Sequence, residues 1–353
     1  MADYREEFQK LLESTYIPLD GDKDKIGTAI NDFLNEIFPH IPDKLYRYRN
    51  CEDYNIESFR KGTIYLCNAS HFSDKYDSRV FVDRERINRE MKEYMKAALT
   101  GVIKEIKNKN PNLISEKASK VCYWKECGFS DDEILDKIIA EDYSDYIKKT
   151  EDDMKARETR FRSHKVAAKI GCFTESVQSK FMWDHYAGGY SGFALEYNMK
   201  ELLYKYSSRS SIFVFPVIYS DKMPDVTNDE ANVYYGEKCQ KEGWMKAWAP
   251  LHHLFLTNMI HSFTPYLYKD REEYSHEKEW RMIYYNDNEK EEKFALIPDL
   301  DCLKAIYYGP DITPENKSIL HEIAEKRGIA EYDVAFDLES RNYKLKINMQ
   351  VPI

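Results

Sequence analysis

"HEKEWRMIY", His276 to Tyr284, sets three charged residues, Glu277, Lys278 and Glu279, directly before a segment that alternates like a β-strand. Two carboxylates two positions apart share one face if the strand includes them both. Such a face either pairs with cations on neighbouring strands, a ladder of modest energetic value, or presents its acids to a polar cleft. A one-residue change of register exchanges the two faces, so the spacing leaves open whether Glu277 or Glu279 meets the cleft.

Working outward, "LYRYR" (45–49) alternates Leu45, Arg47 and Arg49 on one face with Tyr46 and Tyr48 on the other. Two arginines on one face of a short strand must meet water or an anion. "EDYNIESFRKG" reads as a short helix stopped at Gly62, and "TIYLCNAS" as a second strand. Further strand patterns are "KIGCFTE", "SGFALEY" and "SIFVFPVIYS", the last marked as an edge or bulge by Pro216. "EWRMIYY", "KFALIP" and "LKAIYYG" follow, then a helix over 313–327 with Thr313 as N-cap and Gly328 as exit, and a closing hairpin. Between these runs, residues 81–165 repeat apolar positions every three or four amid dense charge, with a Ser-Asp-Asp N-cap at 130–132, and 228–272 form a second helical block. The order predicts an α+β fold: a mixed or antiparallel β core assembled from both ends of one domain, 1–353, with helical insertions at 81–165 and 228–272.

With 353 residues and 42% hydrophobic content the chain can bury one large core or two modest ones. A mean hydropathy of -0.69, no apolar run near twenty residues and a charged "MADYREEFQK" start predict a cytoplasmic protein without membrane contact. The net charge of -10 opposes general nucleic-acid binding. Seven cysteines at 51, 67, 122, 127, 172, 239 and 302 show neither a disulfide framework nor a zinc spacing and read as reduced thiols. The 28 tyrosines suit ligand or partner surfaces.

"LYRYR", "TIYLCNASHFSDKYDS", "CFTESVQSKFMWDHYAGGYSGFALEYN" and "EKEWRMIY" together resemble the successive motifs of domain-of-unknown-function family 2971, uncharacterised and mostly bacterial. The basic strand, helix, strand and late carboxylate are also similar in layout to NAD-dependent ADP-ribosyltransferases. That resemblance implies an NAD-consuming transferase or glycohydrolase of the kind found in bacterial defence and toxin systems, with NAD as substrate. It implies roles for Arg47 or Arg49, with Tyr46, at the ribose and phosphates. It makes Tyr186, with Trp183 and His185 in "MWDHY", the aromatic wall against nicotinamide, and Glu279 with Glu277 the catalytic carboxylates. Each role has a physical basis: arginine matches a diphosphate bidentately, a ring face packs on a planar cation, and a carboxylate opposes charge developing on the sugar.

Two other classes fit the same residues. A non-catalytic sensor would use the cleft to hold a nucleotide and the helical insertions to contact a protein partner. A metal-dependent nuclease would gather Asp74, Asp77 and Glu196 around magnesium. His252, His253, His261 and His276 lack ligand spacing, so no metal is expected from them. Gly188, Gly189 and Gly192 read as a tight turn feeding "FALEY".

Overall fold

A computed structural model describes residues 4–15, 17, 23–83, 85, 86, 89, 100, 116–137, 140, 168–206, 212–227, 259–285 and 293–349. The chain divides into two compact units, one of Met1–Val80, Ser163–Pro224 and Gly243–Ile353, the other of Phe81–Arg162 and Asp225–Glu242. Among the described residues no helix is long and apolar enough to cross a membrane.

The first unit mixes helices with an open, mixed sheet of ten strands. These are β1 (Leu45–Arg49), β2 (Thr63–Cys67), β3 (Ala168–Thr174), β4 (Phe193–Tyr197), β5 (Ile212–Pro216), β8 (Glu279–Tyr285), β9 (Phe294–Pro298), β10 (Leu303–Tyr308), β11 (Ala330–Phe336) and β12 (Leu345–Met349). Two short strands, β6 (Ile218–Ser220) and β7 (Tyr268–Asp270), pair in parallel apart from it. From one edge the order runs β12, β11, β10, β4, β1, β3, and only β10 and β11 are parallel.

At β3 the sheet forks. Strand β8 takes one edge of β3 along its whole length, Ala168↔Tyr285 to Thr174↔Glu279, and carries β5 beyond it. The other edge meets β1 at Tyr46↔Thr174 and β2 at Cys67↔Ile170, so β1 and β2 diverge from the same edge. Both faces of β3 and β8 are covered, which is why "KIGCFT" is apolar almost throughout. Phe173, Trp280 and Met282 enter one core cluster, and Ile170 and Ile283 enter another with Phe8 and Leu12 of α1 (Tyr4–Ser14).

Helix α3 (Asp53–Lys61) ends as its sequence predicts, with Gly62 left-handed at φ 64°. Helix α5 (Lys180–Tyr186) is capped by Ser179, and its Trp183 is fully buried against Tyr48. Helix α8 (Pro314–Arg327) starts from the Thr313 cap and stops at Gly328. In the second unit, α4 (Glu116–Glu126) and a helical stretch at 131–137 pack Val121 on Ile134 and Leu135. Ser130 and Glu133 exchange side-chain to backbone hydrogen bonds of 2.8 and 3.3 Å, a capping box at the predicted N-cap.

The block expected to be helical over 228–272 is helical in part where it is described, with Arg271–Tyr274 an α-helix. Residues 228–258 lie outside the described residues. Met259–Tyr266 is a 3-10 stretch containing Pro265, and β7 follows it. Proline lacks the N–H that an α-ladder needs, and the tighter turn accommodates it. Much of 81–165 also lies outside the described residues.

The turn after α5 holds β1 in place. Gly188 and Gly189 have φ of 59° and 63°, and a Cβ on Gly192 would lie 2.1 Å from the Arg49 carbonyl oxygen. A Cβ on Gly189 would meet nothing within 4 Å. Gly189→Ala should therefore cost only the left-handed strain of about 1–2 kcal/mol. Gly192→Ala should cost more, about 3 kcal/mol, because backbone must move. Urea unfolding of both variants checks this, and equal losses would contradict the close approach.

Candidate functional site

A cleft of about 460 Å³ opens in the first unit beside the fork, a volume within the range of small-molecule sites. Its walls come from β1, β2, the segment 71–77, the end of α5, Lys269 on β7, and the Glu277–Arg281 stretch.

One end is acidic and densely paired. Glu277 closes a 3-10 turn (Ser275–Glu277), Lys278 takes a left-handed φ of 47°, and β8 begins only at Glu279. The two carboxylates therefore converge through a turn, and the shared strand face expected from their spacing is not what joins them. Lys269 Nζ donates to Glu277 Oε2 at 2.7 Å and to Glu279 Oε2 at 3.1 Å, with Tyr274 beneath the ammonium at 4.0 Å. Arg281 donates through Nε to Glu279 Oε1 at 2.8 Å and through both terminal nitrogens to Asp77. Tyr186 donates its hydroxyl to Glu277 Oε1 at 2.7 Å.

More distant groups fix the peptide around the pair. Tyr219 Oη accepts the Glu279 N–H at 2.7 Å, Thr174 donates to the Glu277 carbonyl, and Arg5 from α1 donates to the Glu279 carbonyl at 3.1 Å. Arg5 also pairs with Glu175 at 2.8 Å.

The two acids are electrostatically unlike. Burial raises both, but for Glu279 the adjacent Arg281 and Lys269 overcome it and hold the carboxyl far below the ordinary range. For Glu277 burial prevails: Lys269 opposes it, the Glu279 charge reinforces it, and the carboxyl is pushed up. Burial and the Glu277 charge push the Tyr186 phenol up as well.

The other end is cationic. Tyr46 and Glu279 both register on Thr174, so they share one sheet face, and Arg47 and Arg49 leave β1 from the opposite one. Arg47, 7% exposed, sits in the fork, donates to the Tyr65 carbonyl on β2 and lies 5.4 Å from the Phe173 ring. Its Nε is buried with no hydrogen-bond partner. Gly171 makes the room: a Cβ there would fall 2.4 Å from Leu66 Cδ2 and 3.7 Å from Arg47 Nη1. Arg49 donates to the Tyr48 carbonyl at 3.1 Å. Neither arginine has a carboxylate within ion-pair distance among the described residues. Burial lowers Arg47, and burial together with the Arg47 charge lowers Arg49 to about 9. Both guanidiniums stay charged at neutral pH, and an incoming anion would relieve the cost.

The structure thus gathers Arg47, Arg49, Tyr46, His185, Tyr186, Glu277 and Glu279 around one cleft. Tyr46 contributes wall, while its ring packs edge-on against Tyr307. Trp183 is placed elsewhere, in the core, donating Nε1 to the Val177 carbonyl at 2.8 Å. Glu279 and Arg281 pair with each other and with Lys269 and Asp77, and among the described residues neither pairs with Arg47 or Arg49. The three nuclease carboxylates do not converge, since Asp77 serves Arg281 and Glu196 is taken by Tyr307 and Lys44. Among the described residues no three His, Cys, Asp or Glu side chains cluster to hold a metal.

Lys269, Tyr219, Tyr274 and Arg5 were not singled out from the sequence. Lys269 sits ten residues before Glu279 in "YKDREEY", a charged run that carries no spacing signal.

Over residues 182–282 the chain is similar to a protein family of unknown function, DUF2971. That stretch runs from α5 into β8 and contains Tyr186, Lys269, Glu277, Glu279 and Arg281. No curated protein and no solved structure matches the chain.

Two stability outcomes follow from this pairing. Arg281→Met should cost about 3–5 kcal/mol by leaving Asp77 buried without a cation and Glu279 with Lys269 alone, while Lys200→Met, at the surface pair with Asp43, should cost under about 1 kcal/mol. Urea denaturation separates the two, and similar losses would contradict the network. The acids should also have opposite pH signatures. A depressed carboxyl contributes stability above the ordinary glutamate value of 4.5 that is lost as pH falls below it. A raised carboxyl binds its proton more tightly when folded, so its contribution declines as pH rises above 4.5 toward the folded value. Relative to the parent, Glu279→Gln should lose the decline in acid, and Glu277→Gln should gain stability as pH rises from 4.5. Denaturation midpoints across that range check both signs.

Proposed function

We propose that the cleft binds a nucleotide and that the protein consumes NAD, as an ADP-ribosyltransferase or an NAD glycohydrolase. One observation carries the reading: a single cleft sets two arginines without acidic partners at one end and a buried carboxylate pair at the other. NAD has the matching polarity, with an anionic diphosphate and a cationic nicotinamide ring. The diphosphate would seat on Arg47 and Arg49, whose planar forks suit phosphate oxygens. The nicotinamide ribose would then reach Glu277 and Glu279.

In the reaction the bond between the ribose carbon and the nicotinamide nitrogen breaks, and its electron pair leaves with neutral nicotinamide. Positive charge develops on the sugar, opposed by Glu279, which Arg281 and Lys269 keep ionised. An acceptor oxygen bonds to the sugar carbon and yields its proton to Glu277, the carboxyl with the higher proton affinity.

A second reading has its own support. Every oxygen of Glu277 and Glu279 already accepts a hydrogen bond from Lys269, Arg281 or Tyr186, which suits a non-catalytic nucleotide sensor. The deciding experiment incubates the purified protein with NAD, alone and with cell lysate, and follows nicotinamide by chromatography. Release should fall at least about 100-fold in Glu279→Gln, within the range for loss of one preorganised electrostatic contact. It should fall similarly in Glu277→Gln, through loss of the proton acceptor. Release at the parental rate from both variants would sink the assignment. ADP-ribose binding without release from the folded parent would establish the sensor.

A further inference from the structure

Tyr186 lines the cleft beside Glu277 and bonds to it. Tyr186 is 45% exposed, whereas Glu277, to which its hydroxyl bonds, is 3% exposed. Its hydroxyl donates to Glu277 Oε1 at 2.7 Å, and Lys269 occupies Oε2. The phenol therefore takes the acceptor position of Oε1 on the side from which Tyr186 reaches it.

The backbone that carries Tyr186 is held firmly. Trp183, one turn earlier in α5, is fully buried and hydrogen-bonded, and Phe181 packs against His276, the neighbour of Glu277, with centroids 4.0 Å apart. Movement therefore falls to the Tyr186 side chain. A half-exposed tyrosine turns about two bonds, on the picosecond to nanosecond scale of exposed side chains. What it gives up is one hydrogen bond to a carboxylate, which a ligand hydroxyl can replace in kind.

We infer that Tyr186 is a gate that mimics the ligand. Its phenol holds the hydrogen-bond position on Glu277 that a sugar hydroxyl takes when the ligand enters, and swings outward when displaced. The inference deepens the nucleotide reading: it selects ligands with a hydroxyl donor at the acidic end, and it keeps the buried acid satisfied when the cleft is vacant. It also assigns Tyr186 a role distinct from stacking on nicotinamide.

Two measurements test the gate, one without ligand. Carbodiimide coupling of glycine ethyl ester, read by peptide mass spectrometry, should label Glu277 at least about tenfold faster in Tyr186→Ala than in the parent. Glu279, covered by Lys269 and Arg281, should label alike in both. Unchanged labelling of Glu277 overturns the gate. In the second, calorimetry with ADP-ribose, Tyr186→Phe should bind about tenfold or more tightly than the parent, because the competing hydrogen bond to a charged acceptor is gone. Equal or weaker binding by Tyr186→Phe overturns the mimicry. If ADP-ribose binds neither protein, the nucleotide reading fails, the mimicry fails with it, and the labelling still decides whether Tyr186 covers Glu277.

Discussion

Arg281 leaves the middle of the sheet with no exposed surface and ends between Asp77 and Glu279. A guanidinium cannot shed its proton, and here two acids with good geometry offset its burial. That pairing organises the site. Asp77 must come in from the loop after β2, Glu279 must start β8 facing the same side, and the carbonyl of Tyr266 accepts the second donor of Nη1. Once Arg281 has fixed Glu279, Lys269 can bridge to Glu277, and the turn through Lys278 adopts its left-handed conformation to bring the second acid within reach.

The fork at β3 is the complementary constraint. Two strands that leave one edge in different directions open a gap between their backbones, and Arg47 fills it from β1 by donating to β2. Aliphatic residues could fill such a gap at lower electrostatic cost. An arginine there, with its Nε buried and unpartnered and Arg49 beside it, is a local arrangement that stability alone does not favour. Departures of this kind concentrate where a protein binds something.

Much of the scaffold was legible because it rests on local chemistry. Alternation located β1 and β8, strand-forming composition located β3, the Thr313 cap and Gly328 bounded α8, and Ser130 announced its helix. "EKEWR" also marked the acidic end correctly as a place where charge enters a strand. Pairing was not legible. Whether Arg47 opposes Glu279 depends on which strands are neighbours and in what register, and Tyr46↔Thr174↔Glu279 places the two arginines on the far face. Lys269 and Tyr219 act through a second, parallel strand pair that no periodicity reveals, and Trp183 looks like a ligand residue until its depth is known.

The two ends of the cleft treat charge in opposite ways. At the acidic end Asp77, Glu277 and Glu279 face Lys269 and Arg281, so three acids share two cations and every donor nitrogen of the two has an acceptor. Such a set holds its shape without a ligand, as a site that must present fixed charge to a reacting group requires. At the basic end two cations share no acid among the described residues, and the unspent electrostatic energy becomes available only when an anion arrives. Preorganisation at one end and unsatisfied charge at the other give different tasks to the two: the arginines supply affinity, and the carboxylates supply orientation. A ligand that reached only the acids would find them already satisfied, and one that reached only the arginines would leave the acids untouched. Spanning both is what couples the energy of anion binding to the geometry of the buried pair.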